Sequence, residues 1–209
     1  MTHPIILTNP SLQRLFCKPS EPKSFIHYSA FPHLDHLICF KSLDLENHLP
    51  IIHNWVNQSY TEAYWQMEGP YEPFAEVYNT IINHPNAHSF VGLYNGNPIC
   101  QFDVYMVGVD ELSYHIPEEN NHCGFHLLMA PNQKRIPGLT PAIIKTFLHY
   151  YFSFPEAEKM YAEPDINNQK SIELLKTAGF HYLQTLKLSY KTAHLYCLTR
   201  HQFNALNTS

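Results

Sequence analysis

Positive charge is scarce in this chain. Thirteen Lys and Arg stand against 18 Asp and Glu over 209 residues, a formal net charge of −5. The cations are scattered, so there is no basic field to steer the chain to nucleic acid or to an anionic membrane surface. Paired cysteines are missing too. Cys17, Cys39, Cys100, Cys123 and Cys197 are odd in number, widely spaced and free of any Cys-x-x-Cys pair. That pattern supports neither a disulfide framework nor a zinc site, and it fits a reducing cytoplasm. No basic segment followed by an apolar run opens the sequence. Its greasiest stretch, residues 141–154, is interrupted by Lys145 and His149. Neither an export signal nor a membrane span is expected. The 15 histidines include no His-Glu-x-x-His or other tight helical pair, so no metal site is expected. Internal repeats and low-complexity tracts are also absent.

What is present can fill one good-sized core, with 44% hydrophobic and 14% aromatic residues. Residues 1–35 carry Pro4, Pro10, Pro19, Pro22 and Pro32 and read as an irregular arm or edge strand, a surface for packing or for a partner such as a second copy. Residues 36–209 read as a single domain. A strand over 36–40 leads to Asp44, an N-cap candidate before Leu45, Leu49, Ile52, Trp55 and Val56 at helical spacing. Residues 72–83 repeat the helical period through Phe74, Val77, Tyr78, Ile81 and Ile82. Asn95-Gly96 between apolar runs predicts a hairpin of residues 90–94 and 99–107, because both residues tolerate positive φ. Residues 123–129 make a buried strand interrupted by one histidine. Thr140 with Pro141 predicts the start of a helix. Residues 159–162 form a short strand, Asn168 opens a helix that Gly179 ends, and strands over 180–188 and 192–198 complete the chain.

This order, with Asn168-x-x-Ser171-x-x-x-Leu175-x-x-x-Gly179-Phe180, resembles the GNAT superfamily of acyl-CoA N-acyltransferases. The resemblance implies an α/β fold with a mixed, mostly antiparallel central sheet flanked by helices. A narrower likeness is carried by His53-x-Trp55-Val56-Asn57, Trp65, Gly92-Leu93-Tyr94-Asn95-Gly96-Asn97-Pro98, Phe102-Asp103-Val104-Tyr105, Gly124-x-His126-Leu127-Leu128 and Ala162-Glu163-Pro164-Asp165-x-x-Asn168. These segments are similar to the siderophore-biosynthesis branch, which includes N6-hydroxylysine acetyltransferases and lysine N-acyltransferases. The branch implies acetyl-CoA or another acyl-CoA as co-substrate, and a small amine or hydroxylamine as acceptor.

A pyrophosphate is best met by backbone N–H groups at a helix start, which the segment from Asn132 to Thr140 can supply. Arg135, Gly138, Leu139 and Thr140, with Leu128 and Met129 on the preceding strand and Asn168, are the cofactor-binding candidates. Pro137 removes one donor from this loop. By resemblance, His126 and Asp165 are the catalytic pair. A neutral imidazole can take a proton from the attacking nitrogen, and a carboxylate can orient the imidazole or hold a cationic substrate. Which of the two is the base is left open. Trp55, Asn57, Trp65, Asp103, Tyr105 and Tyr114 match substrate-side positions, with Trp55 and Trp65 equally readable as core anchors. Leu175 stands where many members have a tyrosine that protonates the departing thiolate. Other amines, such as aminoglycosides, and a noncatalytic acyl-CoA-binding role are the alternatives.

Overall fold

The computed structural model describes residues 13–20, 25–31, 34, 37–116, 122–131 and 136–207. Strands β1 (Phe25–Ser29) and β2 (Ile38–Ser42) precede helices α1 (Leu49–Val56), the single-turn α2 (Ser59–Glu62) and α3 (Tyr71–Asn83). Strands β3 (Ala87–Tyr94) and β4 (Asn97–Met106) follow, then two 3₁₀ turns, Val107–Val109 and Glu111–Tyr114, and strand β5 (Cys123–Met129). The rest runs α4 (Leu139–Phe152), β6 (Lys159–Ala162), α5 (Gln169–Thr177), β7 (His181–Lys187), β8 (Thr192–Thr199) and α6 (Arg200–Asn207). Among the described residues, eight strands join one sheet in the order β1-β2-β3-β4-β5-β6-β8-β7, and only β5 and β6 pair in parallel, which gives the mixed, mostly antiparallel sheet flanked by helices that the family resemblance implies.

Local chemistry explains the boundaries. Asn95 at φ 50° and Gly96 at φ 73° form the tight turn between β3 and β4, both in the left-handed region such hairpins require. Asp44 does not cap α1. Its Oδ1 accepts the backbone N–H groups of Glu46 and Asn47, each at 2.9 Å, closing a turn of its own, and the helix starts only at Leu49. Helix α4 begins at Leu139, ahead of the expected Thr140 cap, because Gly138 at φ 76° turns the chain first. Pro141 still lies in the first turn, where its missing N–H costs nothing. Helix α6 lies beyond the last element expected. It opens on a reciprocal cap, Thr199 N–H to Gln202 Oε1 at 2.9 Å and Gln202 N–H to Thr199 Oγ1 at 3.2 Å.

Among the described residues of the proline-rich arm, β1 pairs with β2 as the edge strand, and Leu15 and Cys17 are buried in the main core. Lys18 Nζ donates to the carbonyls of Ile82, His84 and Ala87 at 2.5, 2.7 and 3.3 Å, satisfying the end of α3.

Strand register separates the two faces of the sheet. Opposed pairs Phe90↔Phe102, Phe102↔Leu127 and Val104↔Phe125 put apolar side chains on the face covered by α4. Ser89↔Asp103, Asp103↔His126 and Tyr105↔Gly124 place polar groups on the other face, beside α1 and α3, whose apolar sides pack on each other and on Leu128.

Candidate active site

The site lies where β5 and β6 part. Strand β5 pairs with β4 along its whole length, from Met106↔Cys123 to Cys100↔Met129. Strand β6 meets β5 only at Cys123↔Met160 and Gly124↔Tyr161. Beyond Gly124 the edge of β5 facing β6 is therefore open, and two alternate steps along the strands bring His126 and Glu163 together on one face. His126 Nε2 lies 2.7 Å from Glu163 Oε1, with the imidazole 14% and the carboxylate 2% exposed. Tyr105 OH donates to Glu163 Oε2 at 3.0 Å, and Lys191 Nζ lies 3.4 Å from Oε1. Tyr105 reaches Glu163 across Gly124. A β-carbon there would stand 2.5 Å from the tyrosine ring, so only glycine admits this contact.

Buried charges in contact set one another's proton affinity. Burial by itself would raise the Glu163 carboxyl, but Lys191 and His126 outweigh it and hold the group well below the usual carboxylate range. Burial would lower His126, yet Glu163 overrides it and the imidazole titrates above its ordinary value. Asp110, whose side chain caps the second 3₁₀ turn, is pushed up to about 6 by burial and by the charge of Glu163.

Glu163 stands in the Ala162-Glu163-Pro164-Asp165 motif, but the sequence assigns it no role in the site. The pairing expected was His126 with Asp165. In the structure, Glu163 makes the contact, and Asp165 turns the other way. Pro164 and Ile166 hydrogen-bond to β8 residues His194 and Thr192, Asp165 itself bridges to Ala193, and its Oδ1 accepts from Asn167 N–H at 2.8 Å and Asn167 Nδ2 at 3.0 Å.

The acceptor-side candidates divide. Trp65 stands edge-on to His126, ring centroids 6.4 Å apart. Asp103 is buried and accepts from Ser89 Oγ and Gln101 Nε2, with Tyr78 OH at 3.5 Å. Burial raises its carboxyl against those hydrogen bonds. Trp65, Asp103, Tyr105 and His126 are thus brought to one place. Trp55 is a core residue packed with Leu49, Ile52 and Leu128. Asn57 ties a loop to α1, accepting from Gly69 N–H at 2.9 Å and donating to His53 O at 2.9 Å. Tyr114 is 73% exposed on the second 3₁₀ turn.

Of the cofactor-side candidates, Arg135 lies outside the described residues. Gly138 turns the chain into α4, Leu139 is buried in the core, and its N–H closes onto Ile136 O at 3.3 Å. Thr140 is half-buried in the first turn. Leu128 is buried against the α1–α3 layer, and Met129 ends β5. Asn168 caps α5, its Oδ1 accepting from Ser171 N–H at 3.2 Å. Leu175 is a buried core residue. Helix α2, unexpected from the sequence, spans the opening between the strands: Tyr60 OH donates to Met129 O at 2.6 Å on β5, and Tyr64 OH, just past the helix, to Asn167 O at 3.2 Å after β6. Among the described residues no group of three or more His, Cys, Asp or Glu is arranged to hold a metal ion, and no helix is long and apolar enough to cross a membrane.

The sheet splayed where β5 and β6 part and the glycine turn into α4 fall within a segment that matches the acetyltransferase (GNAT) domain. The family model for that domain matches residues 44–188, and the chain belongs to this family. Its relatives include a Schizosaccharomyces pombe protein named for lysine N-acyltransferase activity, 28% identical over 94% of this chain and 59% of its own length. A protein of Escherichia coli named N(6)-hydroxylysine O-acetyltransferase is 20% identical over 89% of this chain and 59% of its own. The chain thus spans about three fifths of the length of these two relatives. The coenzyme A complex of an aminoglycoside acetyltransferase superposes with a TM-score of 0.74 at 19% identity, over 81% of this chain and 99% of that one.

Proposed function

We propose that the chain is an acyl-CoA-dependent N-acyltransferase whose acceptor is a hydroxylamine nitrogen, that of N6-hydroxylysine or a related hydroxylated diamine. The observation that carries this reading is the His126–Glu163 contact of 2.7 Å at the splayed strands. With Nε2 donating to Glu163, the neutral imidazole has its lone pair on Nδ1, where a proton can be received. The acyl-CoA arm lies along the open edge of β5, with its pyrophosphate toward Gly138 and the start of α4. The acceptor nitrogen attacks the thioester carbonyl, forming the C–N bond. His126 takes the nitrogen's proton, and as the C–S bond breaks, CoA departs with the electron pair as its thiolate. The core position of Leu175 suits thiolate departure without a tyrosine acid, since a thiol is far more acidic than an alcohol. A hydroxylamine is less basic than an alkylamine and is largely neutral at neutral pH, so one imidazole suffices as base. The product is a hydroxamate. The name of the Escherichia coli relative supports N6-hydroxylysine as the acceptor molecule.

The buried carboxylates Asp103 and Glu163 favour a second reading, a polycationic acceptor of the aminoglycoside kind. Release of CoA thiol from acetyl-CoA, with N6-hydroxylysine, lysine, hydroxyputrescine and kanamycin as parallel acceptors, separates the two. Turnover confined to the hydroxylamines, and reduced at least about a hundredfold in His126→Ala, is the expected result. Turnover with kanamycin alone selects the second reading. Tight acetyl-CoA binding without turnover on any acceptor overturns both.

A further inference from the structure

Glu163 Oε1 is shared. His126 Nε2 approaches it at 2.7 Å and Lys191 Nζ at 3.4 Å, while Tyr105 occupies Oε2. We propose that Lys191 is a positioning residue: by sharing Glu163 Oε1 with His126, it keeps the imidazole available as a proton acceptor at neutral pH. The inference rests on the reading of His126 as the base, and it assigns a role to a residue outside the motifs that carry the family resemblance.

The geometry that delivers Lys191 is built rather than incidental. The residue sits in the turn joining β7 to β8, which closes through Leu188 N–H to Lys191 O at 2.9 Å. That turn is anchored to the second 3₁₀ turn by Glu111, whose two carboxylate oxygens accept Ser189 N–H and Ser189 Oγ–H, each at 2.8 Å. The lysine side chain passes the Tyr190 ring, with Nζ 5.1 Å from its centroid, and it is only 13% exposed where it meets Glu163. A long flexible cation is thereby held at one oxygen.

The charge balance around His126 explains why a second cation matters. Asp103 and Tyr105 lie beside it on β4, Asp110 acts on it from the turn after β4, Glu163 from the end of β6 and Lys191 from the β7–β8 turn, where Tyr190 in turn senses Glu163 and Asp110. Carboxylates dominate this set. Without Lys191 the imidazole would be the sole cation among them and would hold its proton, which removes the lone pair the reaction uses. The ammonium competes for Oε1 and acts in the opposite sense to Glu163 on the imidazole. It holds Glu163 ionised at the same time, so the ring stays oriented while its proton is released.

The test is the titration of the His126 imidazole, followed by NMR in protein labelled at histidine, beside the pH profile of kcat/KM. In Lys191→Met the His126 midpoint is expected to rise by about one pH unit. The acid limb of kcat/KM should follow it, lowering the rate at pH 7 about tenfold while the high-pH plateau is kept. Lys191→Arg should restore both. A midpoint that stays or falls in Lys191→Met overturns the proposal. If the midpoint rises but the acid limb does not move, Lys191 acts on the imidazole as proposed, and the reading of His126 as base is the one that fails. Glu111→Ala, which frees the turn by removing its tie to Ser189, gives a second measure of the same displacement and should shift the midpoint upward by a smaller amount.

Discussion

The two faces of the central sheet are made by alternate residues of the same strands, and they solve opposite problems. On one face Phe102 stacks on Phe147 of α4 with centroids 4.1 Å apart at 14°, and Phe40, Phe90 and Phe125 complete the layer. On the other, Ser89, Gln101 and Asp103 form one hydrogen-bonded cluster, and Tyr105, His126, Glu163 and Lys191 form another. The apolar face is held by area and shape, which many side chains can supply. The polar face is held by direction, since each buried charge needs its partner at a set distance or destabilises the fold. Stability should therefore be spread across the first face, while chemistry is concentrated on the second.

The largest effect that separates the faces is expected from Glu163→Ala. It leaves Lys191 and His126 facing each other without their shared anion. Unfolding by urea should show a loss of about 3–5 kcal/mol, and steady-state assays at least about a hundredfold loss of kcat/KM. Phe147→Ala should match that in stability only. Emptying a fully buried ring site costs about 3–5 kcal/mol, yet the protein that remains folded at low temperature should keep a near-normal kcat; a collapse of kcat would mean that the faces are coupled more tightly than their packing implies.

Gly124→Ala probes the boundary between the two. Its methyl group would press on the Tyr105 ring, so a loss of about 1–3 kcal/mol should come with reduced activity. The double variant Gly124→Ala with Tyr105→Val should regain stability without regaining rate. The smallest effect is pH-dependent and belongs to the polar face alone. Glu163 is held low, so its contribution is present above the ordinary carboxyl value of 4.5 and is lost as pH falls through the depressed folded value. His126 is held high, so its contribution is complete below 6.5 and is lost as pH rises through the folded value. The stability margin of the native chain over Glu163→Gln should thus be widest between those two pH values. It should narrow by about 1 kcal/mol on the alkaline side, with Lys191 sustaining the remainder. A Phe147→Leu control should show no such pH dependence.

Much of this architecture is legible in the residues. The boundaries of β5 and β6, the Asn95-Gly96 turn, the Asn168 cap and the Gly179 stop follow from hydrophobic runs and from backbone preferences that act over a few residues. The opening of α6 was legible as well in Thr199-x-x-Gln202, a pattern that is easily passed over behind an apolar strand. Asp44 shows the limit of such signals, because one side chain can close a turn or open a helix and local sequence does not choose between them.

The sequence by itself determined that a histidine would lie on a buried strand, that acids would follow the next strand, and that a glycine turn would precede α4. These are local matters of period, capping and residue type. Only the tertiary structure decided which acid meets the histidine. The parallel register Gly124↔Tyr161 carries His126 and Glu163 to the same face two residues further on, whereas Asp165, beyond Pro164, is drawn into contact with β8. Lys191 enters the same cluster from a turn 28 residues away in the chain. Register and chain reversal are set by packing over the whole sheet, so no reading of adjacent residues could have placed those three groups together.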